Sequence, residues 1–467
     1  MSPVGAAIRA GLALLAAVAT TAQALQLPPV TRVTLDNGLR VVVAETHELP
    51  LVELYVMVGA GAAQDPAGKE GLASLTGDAI TRGAGTLSAE DFARTVESLG
   101  GSLSAQAGTD GTIVNGEFLA EDFPTGLDLL RKVLRDATLA DDEIRRARDD
   151  QLAALVAALE NPSTVAERCF GAFLYGDHPY GRWLDGTKAS VQSLTRDDAT
   201  GFYGRWYRPN NTVLAVVGDV AAADAVERIR AAFGDWESRP DAVPERAGPP
   251  APITARRTLL VDEPDASQAQ IRVGSIAMAR NAPDLLPSHV TNTVLGGGFS
   301  SKLIEELRVK RSLTYGASSM FVARLTGGDF RISTFSKSAT AVETLALALE
   351  VEEAFRKEPV DPKLLAKART YLAGQFPLRL ETPDALAGRL TEIEFFGLPK
   401  DDLETYVSRV EAVGPEVARQ MAERHMPTAE QIAIVVVGKA SEIKPALEEK
   451  FGPVRVVTRE QCEGLRP

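Results

Sequence analysis

Histidine is scarce in this sequence of 467 residues. The four histidines are spread along the chain, at His47, His178, His289 and His425. No two of them stand one helical turn apart, the spacing that helical zinc motifs require. His178 lies in Asp177-His178-Pro179-Tyr180-Gly181, where a structural loop is favoured over catalysis. The histidines therefore indicate no local metal site.

Cysteine is equally rare, with Cys169 in a predicted helix and Cys462 near the C-terminal end. Two thiols cannot form a four-cysteine metal site, and neither has a nearby histidine in a recognisable nucleophile motif. A disulfide is possible in an oxidising compartment, but the sequence gives no distance between the two residues. The interpretation favoured by the sequence is therefore a pair of unlinked cysteines.

Other absences exclude further classes of function. The net charge is −13, so the basic surface of a nucleic-acid-binding protein is missing. No Gly-x-Ser-x-Gly elbow of a serine hydrolase is present. Gly296 to Gly298 lead into Phe-Ser-Ser-Lys rather than Gly-Lys-Ser/Thr. This glycine stretch predicts a tight turn before a helix from Lys302 to Lys310, and not a phosphate site.

The N-terminal residues have the pattern of a secretory signal. Arg9 precedes an apolar run from Ala10 to Ala19, and Thr21-Ala22-Gln23-Ala24 has small residues at a cleavage spacing. We predict a signal peptide over residues 1–24 and an exported, soluble, periplasmic product. The alternative is a buried N-terminal helix. No later run reaches the roughly 18 to 20 apolar residues of a membrane span, so none is expected after cleavage.

The chain contains an internal repeat. Asn211 to Val220 resembles Gln431 to Ala440, with Gly218 and Gly438 separated by 220 residues. Four upstream features correspond at a separation of 221 residues: Ala147-Arg148 with Ala368-Arg369, Glu160-Asn161-Pro162 with Glu381-Thr382-Pro383, Arg168 with Arg389, and Gly176 with Gly397. Several matches in one register indicate duplication.

A proline-rich stretch separates the two copies. Five prolines lie between Ser238 and Ala255, a composition that favours extended backbone. We predict a first domain over residues 25–240, a linker over 241–254 and a second domain over 255–467.

The first copy has an α+β pattern. Asp36-Asn37-Gly38 predicts a hairpin turn between strands at 32–35 and 39–44, and further strands are expected at 51–58, 112–118 and 212–217. Helices are predicted at 71–82, after Ser88, at 126–135, 141–159 and 196–207, with a mixed loop following Leu159. Hairpin strands with helices grouped between them predict a mostly antiparallel sheet in each domain.

These motifs together resemble the M16 (pitrilysin or insulinase) family of metallopeptidases, in its short, bacterial, processing-peptidase-like branch. The segments that carry the resemblance are Leu35-Asp-Asn-Gly-Leu-Arg-Val41, Gly59-Ala-Gly61, Gly71-Leu-Ala73, His178-Pro-Tyr-Gly181, Tyr207-Arg-Pro-Asn-Asn211 and Gly296-Gly-Gly-Phe-Ser-Ser-Lys-Leu303. The resemblance implies two homologous domains with the fold of the mitochondrial processing peptidase and LuxS.

Active members of that family place His-x-x-Glu-His after a Gly-Leu-Ala of this kind, and the two histidines bind zinc. Here the matching positions are Ser74, Gly77 and Asp78, and the helix that carries the family's third ligand, a glutamate, has none between Gln151 and Leu159. The resemblance therefore implies that this chain binds no zinc and has no peptidase activity alone.

A second family pattern is present. Arg308 and Tyr315 match an arginine and a tyrosine that contact bound peptide in the family's second domain. Both side chains can donate hydrogen bonds to a peptide carbonyl. The structural alternative is that Arg308 caps local carbonyls and Tyr315 packs in a core.

The resemblance thus implies a non-catalytic subunit of a periplasmic zinc endopeptidase. A zinc-bearing homologue would be its partner in a heterodimer, and the chamber between them would take extended peptides. One alternative is a scaffold or peptide-holding protein without a protease partner, and another is an autonomous enzyme with a new site.

Overall fold

Each half of the chain builds one six-stranded sheet covered by helices. The computed structural model describes residues 27–463 and 465, so the predicted signal peptide over 1–24 lies outside the described residues. The strand order is β1-β2-β6-β3-β5-β4 in the first sheet and β12-β7-β11-β8-β10-β9 in the second. Most neighbouring strands are antiparallel, and β2–β6, β7–β11 and β7–β12 are the parallel pairs. The predicted α+β class is confirmed.

The first half contains six strands and eight helices among the described residues. The strands are β1 (Val30–Thr34), β2 (Arg40–Glu45), β3 (Leu51–Val58), β4 (Ser102–Ala107), β5 (Thr112–Leu119) and β6 (Thr212–Gly218). The helices are α1 (Leu72–Ala79), α2 (Ala89–Ser98), α3 (Phe123–Arg135), α4 (Asp141–Leu159), α5 (Pro162–Tyr175), α6 (Lys188–Gln192), α7 (Arg196–Trp206) and α8 (Ala222–Phe233).

The second half repeats this plan with local differences. Its strands are β7 (Arg257–Asp262), β8 (Gln268–Ala277), β9 (Ala317–Ala323), β10 (Gly328–Lys337), β11 (Ala433–Gly438) and β12 (Val454–Val457). Its helices are α9 (Leu285–Asn292), α10 (Ala341–Lys357), α11 (Pro362–Gln375), α12 (Pro383–Phe396), α13 (Asp402–Glu411), α14 (Pro415–His425) and α15 (Ala440–Phe451).

The predicted hairpin forms as expected. Gly38 has φ of 89°, a conformation that favours glycine, and β1 pairs with β2 in the register Val33 to Val41. The Asn37 amide donates a 2.7 Å hydrogen bond to the Phe233 carbonyl, which fastens the turn to the end of α8.

The prediction of a mixed loop after Leu159 is wrong, because this segment contains the 14-residue helix α5. Asn161 caps the helix with its side chain, and Pro162 occupies the first turn, where a missing N–H costs nothing. The repeat already contained the signal, since Thr382 and Pro383 begin α12 in the second copy.

The two equivalent helices α5 and α12 are exchanged between the halves. Helix α5 comes from the first half but packs on β8 and β11, and α12 comes from the second half but packs on β3 and β6. Phe170 and Phe173 of α5 are buried with Val435 and Val437, while Leu386 and Leu390 of α12 are buried with Ala215 and Val217. Each sheet is therefore covered on both faces, which explains why β6 and β11 are continuous apolar runs.

A disulfide joins α5 to the C-terminal segment. Cys169 and Cys462 are bonded, with their Cα atoms 5.2 Å apart, so the interpretation of unlinked cysteines is wrong. The two residues are 293 positions apart, and only the packing of α5 on the second sheet brings them together. A sequence without this tertiary information could not supply the distance.

A buried ionic cluster also holds α5 in place. Asp329 of β10 is fully buried and accepts hydrogen bonds from Tyr175 Oη at 2.7 Å, Arg324 Nη1 at 3.0 Å and Arg331 Nε at 2.5 Å. Arg331 also contacts Glu167 of α5 at 2.9 Å. Burial alone would raise the pKa of Asp329, but the two guanidinium groups outweigh it and lower the pKa.

Glu53 provides a testable pH dependence at the other exchanged helix. It lies on β3 near Asp384 of α12, and burial, with smaller contributions from Asp384 and Glu117, raises its pKa to about 8. The folded state therefore holds a proton that the unfolded state releases near pH 4.5, so stability should fall as pH rises from about 4.5 to 8. We expect Glu53→Gln to raise the free energy of unfolding by about 3 kcal/mol at pH 8 and to change little at pH 4.

Urea denaturation at both pH values measures this effect. Glu97→Gln, at an exposed position of α2, is the control and should leave the wild-type pH profile intact. An equal effect of Glu53→Gln at pH 4 and pH 8 would show that the carboxyl group does not titrate as described.

Helices of membrane-spanning length and apolarity are absent from the part of the chain that the structure describes.

Candidate functional site

Helix α1 carries Ser74, Gly77 and Asp78, the three residues that the sequence resemblance matches to zinc positions. A buried carboxylate, Asp65, fixes the start of this helix by accepting hydrogen bonds of 2.8 Å from the backbone N–H groups of Gly71 and Ala73. Burial raises the pKa of Asp65 to about 7, although both backbone donors oppose the increase. Gly71 has φ of 92°, which lets the chain turn sharply into the helix.

The three α1 residues have roles other than metal binding. Ser74 Oγ lies 3.5 Å from Asp185 Oδ1, and a Cβ atom at Gly77 would lie 3.3 Å from the Ala107 nitrogen. Asp78 pairs with Arg82 at 2.8 Å, and the same guanidinium contacts Asp150 of α4 at 2.8 Å. An arginine thus already neutralises the carboxylates beside α1.

Helix α4 packs against α1 and contributes the amide of Gln151. The resemblance implies a glutamate ligand on this helix in active members. Gln151 Nε2 donates hydrogen bonds to the Gly71 carbonyl at 3.1 Å and the Asp185 carbonyl at 2.8 Å. Arg168 of α5 pairs with the Asp185 carboxylate at 2.9 Å. These contacts fix the space between α1 and α4 in a hydrogen-bonded arrangement.

The residues of this region do not fit a zinc ion. Zinc requires three or four deprotonated nitrogen, sulfur or oxygen ligands at about 2.0–2.3 Å. Within residues 27–463, no group of three or more histidine, cysteine, aspartate or glutamate side chains could hold a metal. No step of hydrolysis can be derived from this chain's own side chains at α1.

His178 has a structural role, as its sequence context predicts. Its Nδ1 accepts from the Tyr180 backbone N–H at 3.1 Å, and its Nε2 lies 2.9 Å from the Gly248 carbonyl oxygen. The side chain therefore joins the loop after α5 to the proline-rich segment between the halves.

The second predicted feature begins at the glycine stretch Gly296 to Gly298. A Cβ atom at Gly296 would lie 2.4 Å from the Ser319 nitrogen, so only glycine allows this close approach to β9. One π-helical turn, Thr293–Gly297, includes the first two of these glycines, and a second, Ile304–Lys310, follows the stretch. Such turns are uncommon in regular helices and occur often at functional sites.

Arg308 and Tyr315 lie on either side of the turn that leads into β9. Tyr315 is 80% exposed, which is incompatible with packing in a core. The Arg308 guanidinium lies over the Phe299 ring, 5.6 Å from its centroid, and makes no side-chain hydrogen bond or ion pair with another described residue. Both side chains are therefore available to an external ligand.

Two further residues of this region were not predicted. Phe299 is 85% exposed, and its ring holds the Arg308 side chain by a cation–π contact. Ser312 has φ of 54°, an uncommon conformation for a residue other than glycine. Strained backbone of this kind is retained at sites that must present side chains in a fixed way. The Arg308/Tyr315 segment, residues 299–315, thus combines exposed apolar and cationic groups next to an edge strand.

Two family models match the chain. One, described as insulinase (peptidase family M16), matches residues 40–188, and the other, described as peptidase M16 inactive domain, matches residues 193–372. The fold and the two family matches together define a two-domain protein of the metallopeptidase type. The chain belongs to the M16 family and fits its inactive branch.

Some relatives of nearly the same length are named as zinc proteases, and another is named as a non-peptidase homologue. An uncharacterized zinc protease of Mycobacterium leprae is 27% identical over 402 residues, covering 85% of this chain and 89% of the relative. A protein named as a non-peptidase homologue in Helicobacter pylori is 24% identical over 390 residues, covering 82% and 88%.

Solved structures agree with the fold. A peptidase M16 inactive domain from Pseudomonas fluorescens superposes with a TM-score of 0.82 at 26% identity, covering 88% of this chain and 98% of the other. A protease from Helicobacter pylori gives 0.81 at 22% identity, covering 88% and 100%, a similarity that bears on the fold alone.

Proposed function

We propose that this chain is the non-catalytic subunit of an exported zinc endopeptidase, in which it pairs with a zinc-bearing homologue and binds extended peptides through Arg308 and Tyr315. The observation that carries the proposal is the free Arg308/Tyr315 segment in a chain whose α1 cannot bind zinc. The Tyr315 phenol is exposed, the Arg308 guanidinium is partly exposed, and neither makes a side-chain hydrogen bond with a described residue. Both can therefore donate to peptide carbonyls supplied from outside.

The position of the segment suits an extended peptide. Tyr315 stands two residues before β9, which is the edge strand of the second sheet. Peptides that add to a sheet edge gain affinity from main-chain hydrogen bonds, with little demand on sequence. A chamber with such a wall would accept varied substrates, while the partner's zinc would perform hydrolysis.

Export is supported by the disulfide. Bonds such as Cys169–Cys462 persist in oxidising compartments and are rare in a reducing cytosol. Together with the signal pattern over residues 1–24, the disulfide favours the periplasm as the location of the folded chain.

Co-expression with an exported homologue that carries His-x-x-Glu-His tests the proposal. We expect the purified heterodimer to cleave a quenched fluorescent peptide, and Arg308→Ala and Tyr315→Phe each to lower kcat/KM at least tenfold, since each removes a hydrogen-bond donor. The matched control is Arg311→Ala, which removes a nearby exposed arginine and should leave the rate unchanged.

Each other outcome has a definite meaning. Wild-type rates in both variants would refute the role of Arg308 and Tyr315. A chain that forms no complex with any zinc-bearing homologue would favour the scaffold alternative, which the exposed Phe299 also suits. Chelator-sensitive cleavage by the single purified chain would show an autonomous enzyme.

Zinc content gives an independent measurement. We expect the heterodimer to contain one zinc ion, lost when the partner's motif is mutated and kept when Ser74 or Asp78 is replaced by alanine. Loss of zinc in the Ser74→Ala or Asp78→Ala complex would place a ligand on this chain.

A further inference from the structure

The second half contains a cavity of about 890 Å³ that the preceding proposal does not use. It is bordered by α9, α11, α12, α13 and β9, and it lies beside Gly296 and Gly297. Its volume falls within the usual range of small-molecule sites.

The internal repeat relates one wall of this cavity to the region beside α1 in the first half. Arg389, which lies 3.3 Å from Asp402 in the cavity wall, is the counterpart at 221 residues of Arg168, which lies 2.9 Å from Asp185 beside α1. In the first copy the Gln151 amide bridges to Asp185. The residue 221 positions later is Leu372, which also lines the cavity. An apolar side chain cannot donate such a hydrogen bond, so Leu372 contributes only apolar surface to the cavity.

One side of the cavity is apolar and aromatic. The rings of Phe376 and Tyr406 are stacked, with centroids 4.0 Å apart and planes 15° from parallel. Leu380, Leu398 and Met320 complete this wall. Such a surface favours burial of an aliphatic or aromatic group.

The other side carries an excess of positive charge. Arg280, Arg379, Arg389 and Arg409 line the cavity, and Asp402 is the carboxylate among its lining residues. Glu392 pairs with Arg280 at 3.0 Å and also with Arg389. Arg379 bonds only to the Gln375 amide oxygen, at 3.2 Å, and has no carboxylate partner among the described residues. One guanidinium is thus left to pair with an anion from outside.

His289 lies in the same wall and makes no ring hydrogen bond with a described residue. Burial, with smaller contributions from Arg280 and Arg379, lowers its pKa to about 4, so the ring is neutral at physiological pH. A neutral imidazole has one donor and one acceptor nitrogen. It can donate to an anion without adding charge.

We propose that this cavity binds a ligand that joins an apolar group to a carboxylate, with the apolar group against Phe376 and Tyr406 and the carboxylate at Arg379. Two sources share this chemistry: the C-terminal residue of a peptide and a fatty acid. The proposal does not depend on the role of Arg308 and Tyr315.

Calorimetric titration of the full chain with N-acetyl-phenylalanine and with decanoate tests the proposal. We expect at least one acid to bind at least tenfold more tightly than its uncharged counterpart, N-acetyl-phenylalaninamide or decanol, and the tighter acid identifies the source. Arg379→Gln should weaken the acid at least tenfold, because it removes the unpaired guanidinium while leaving every ion pair intact. Arg419→Gln, on the outer face of α14, is the charge-matched control and should not change affinity.

Leu372→Trp fills the cavity and should abolish binding. Since this variant introduces bulk into a packed region, Arg379→Gln on the exposed α11–α12 connection keeps the test valid if Leu372→Trp does not fold. Equal binding of acid and neutral ligand, unchanged affinity in Arg379→Gln, or no binding of either acid at millimolar concentration would each overturn the proposal.

Discussion

Asp329→Ala is expected to lower the free energy of unfolding by about 4 kcal/mol at pH 7, because it leaves the buried Arg324 guanidinium without a carboxylate and leaves Arg331 with Glu167 alone. Asp329 has no exposed surface, and its partners Arg324 and Arg331 are largely buried. Asp329→Asn keeps the size and one acceptor, so we expect a smaller loss of about 2 kcal/mol. Urea denaturation followed by circular dichroism measures both.

The pH dependence identifies the charge as the cause. The pKa of Asp329 is lowered in the folded state, so its contribution is present above the unfolded pKa and is lost as pH falls through the folded pKa. The difference between wild type and Asp329→Ala should therefore shrink at acidic pH. Asp265→Ala, at an exposed position, is the control and should stay within about 0.5 kcal/mol of wild type. A loss for Asp329→Ala that is constant with pH would mean that packing and not charge holds the cluster.

Removal of the disulfide is the second change with a large expected effect. Cys169→Ser with Cys462→Ser should lower the free energy of unfolding by about 4 kcal/mol, because the bond closes a loop of 293 residues in the unfolded chain. A reducing agent should destabilise the wild type by a similar amount and leave the double variant unchanged. Denaturant midpoints with and without reductant give the comparison.

Thiol titration provides the direct check. The denatured, unreduced wild-type protein from an oxidising compartment should have no titratable thiol, and two reactive thiols would contradict the bond. We also expect limited proteolysis of the double variant to begin near residues 458–463, since the disulfide joins this segment to α5.

Both predictions concern the packing of α5 on the sheet of the second half. Arg168 extends from this helix to Asp185 beside α1, while Glu167 contacts Arg331 of the second sheet. A change that displaces α5 would therefore disturb both the region between α1 and α4 and the second half of the chain. Activity losses in such variants should be compared with stability before they are assigned to peptide binding.

Much of the strand and helix order followed from local pattern. The Asn37-Gly38 turn predicted the β1–β2 hairpin, and the apolar run at 212–217 predicted β6, because turn chemistry and burial act over a few residues. Strand β4 was missed, since Ser102 to Ala107 has small and polar residues with weak alternation, and its pairing with β5 decides the conformation.

Only some features of the candidate site were predictable from the sequence. The place of Ser74, Gly77 and Asp78 after Gly71-Leu-Ala73 predicts missing zinc ligands from the sequence alone, since zinc chemistry depends on side-chain type. The exposure of Tyr315, the contact of Phe299 with Arg308 and the bridging Gln151 amide needed coordinates. These features depend on which surfaces remain uncovered after the halves pack, and local sequence does not record that.

The sequence by itself determined the duplication and the α+β class, because both depend on residue types at fixed short spacings. It also predicts that α1 lacks a zinc ligand set. The tertiary structure alone decided that α5 and α12 are exchanged, that Cys169 is bonded to Cys462, and that a cavity lies between β9 and the helices α9, α11, α12 and α13. The physical reason is that the sequence records an apolar face on each helix but not which sheet that face will contact. Their long-range partners, Asp329 for the α5 segment and Glu53 with its neighbours for α12, lie far away in sequence and meet only in the folded chain.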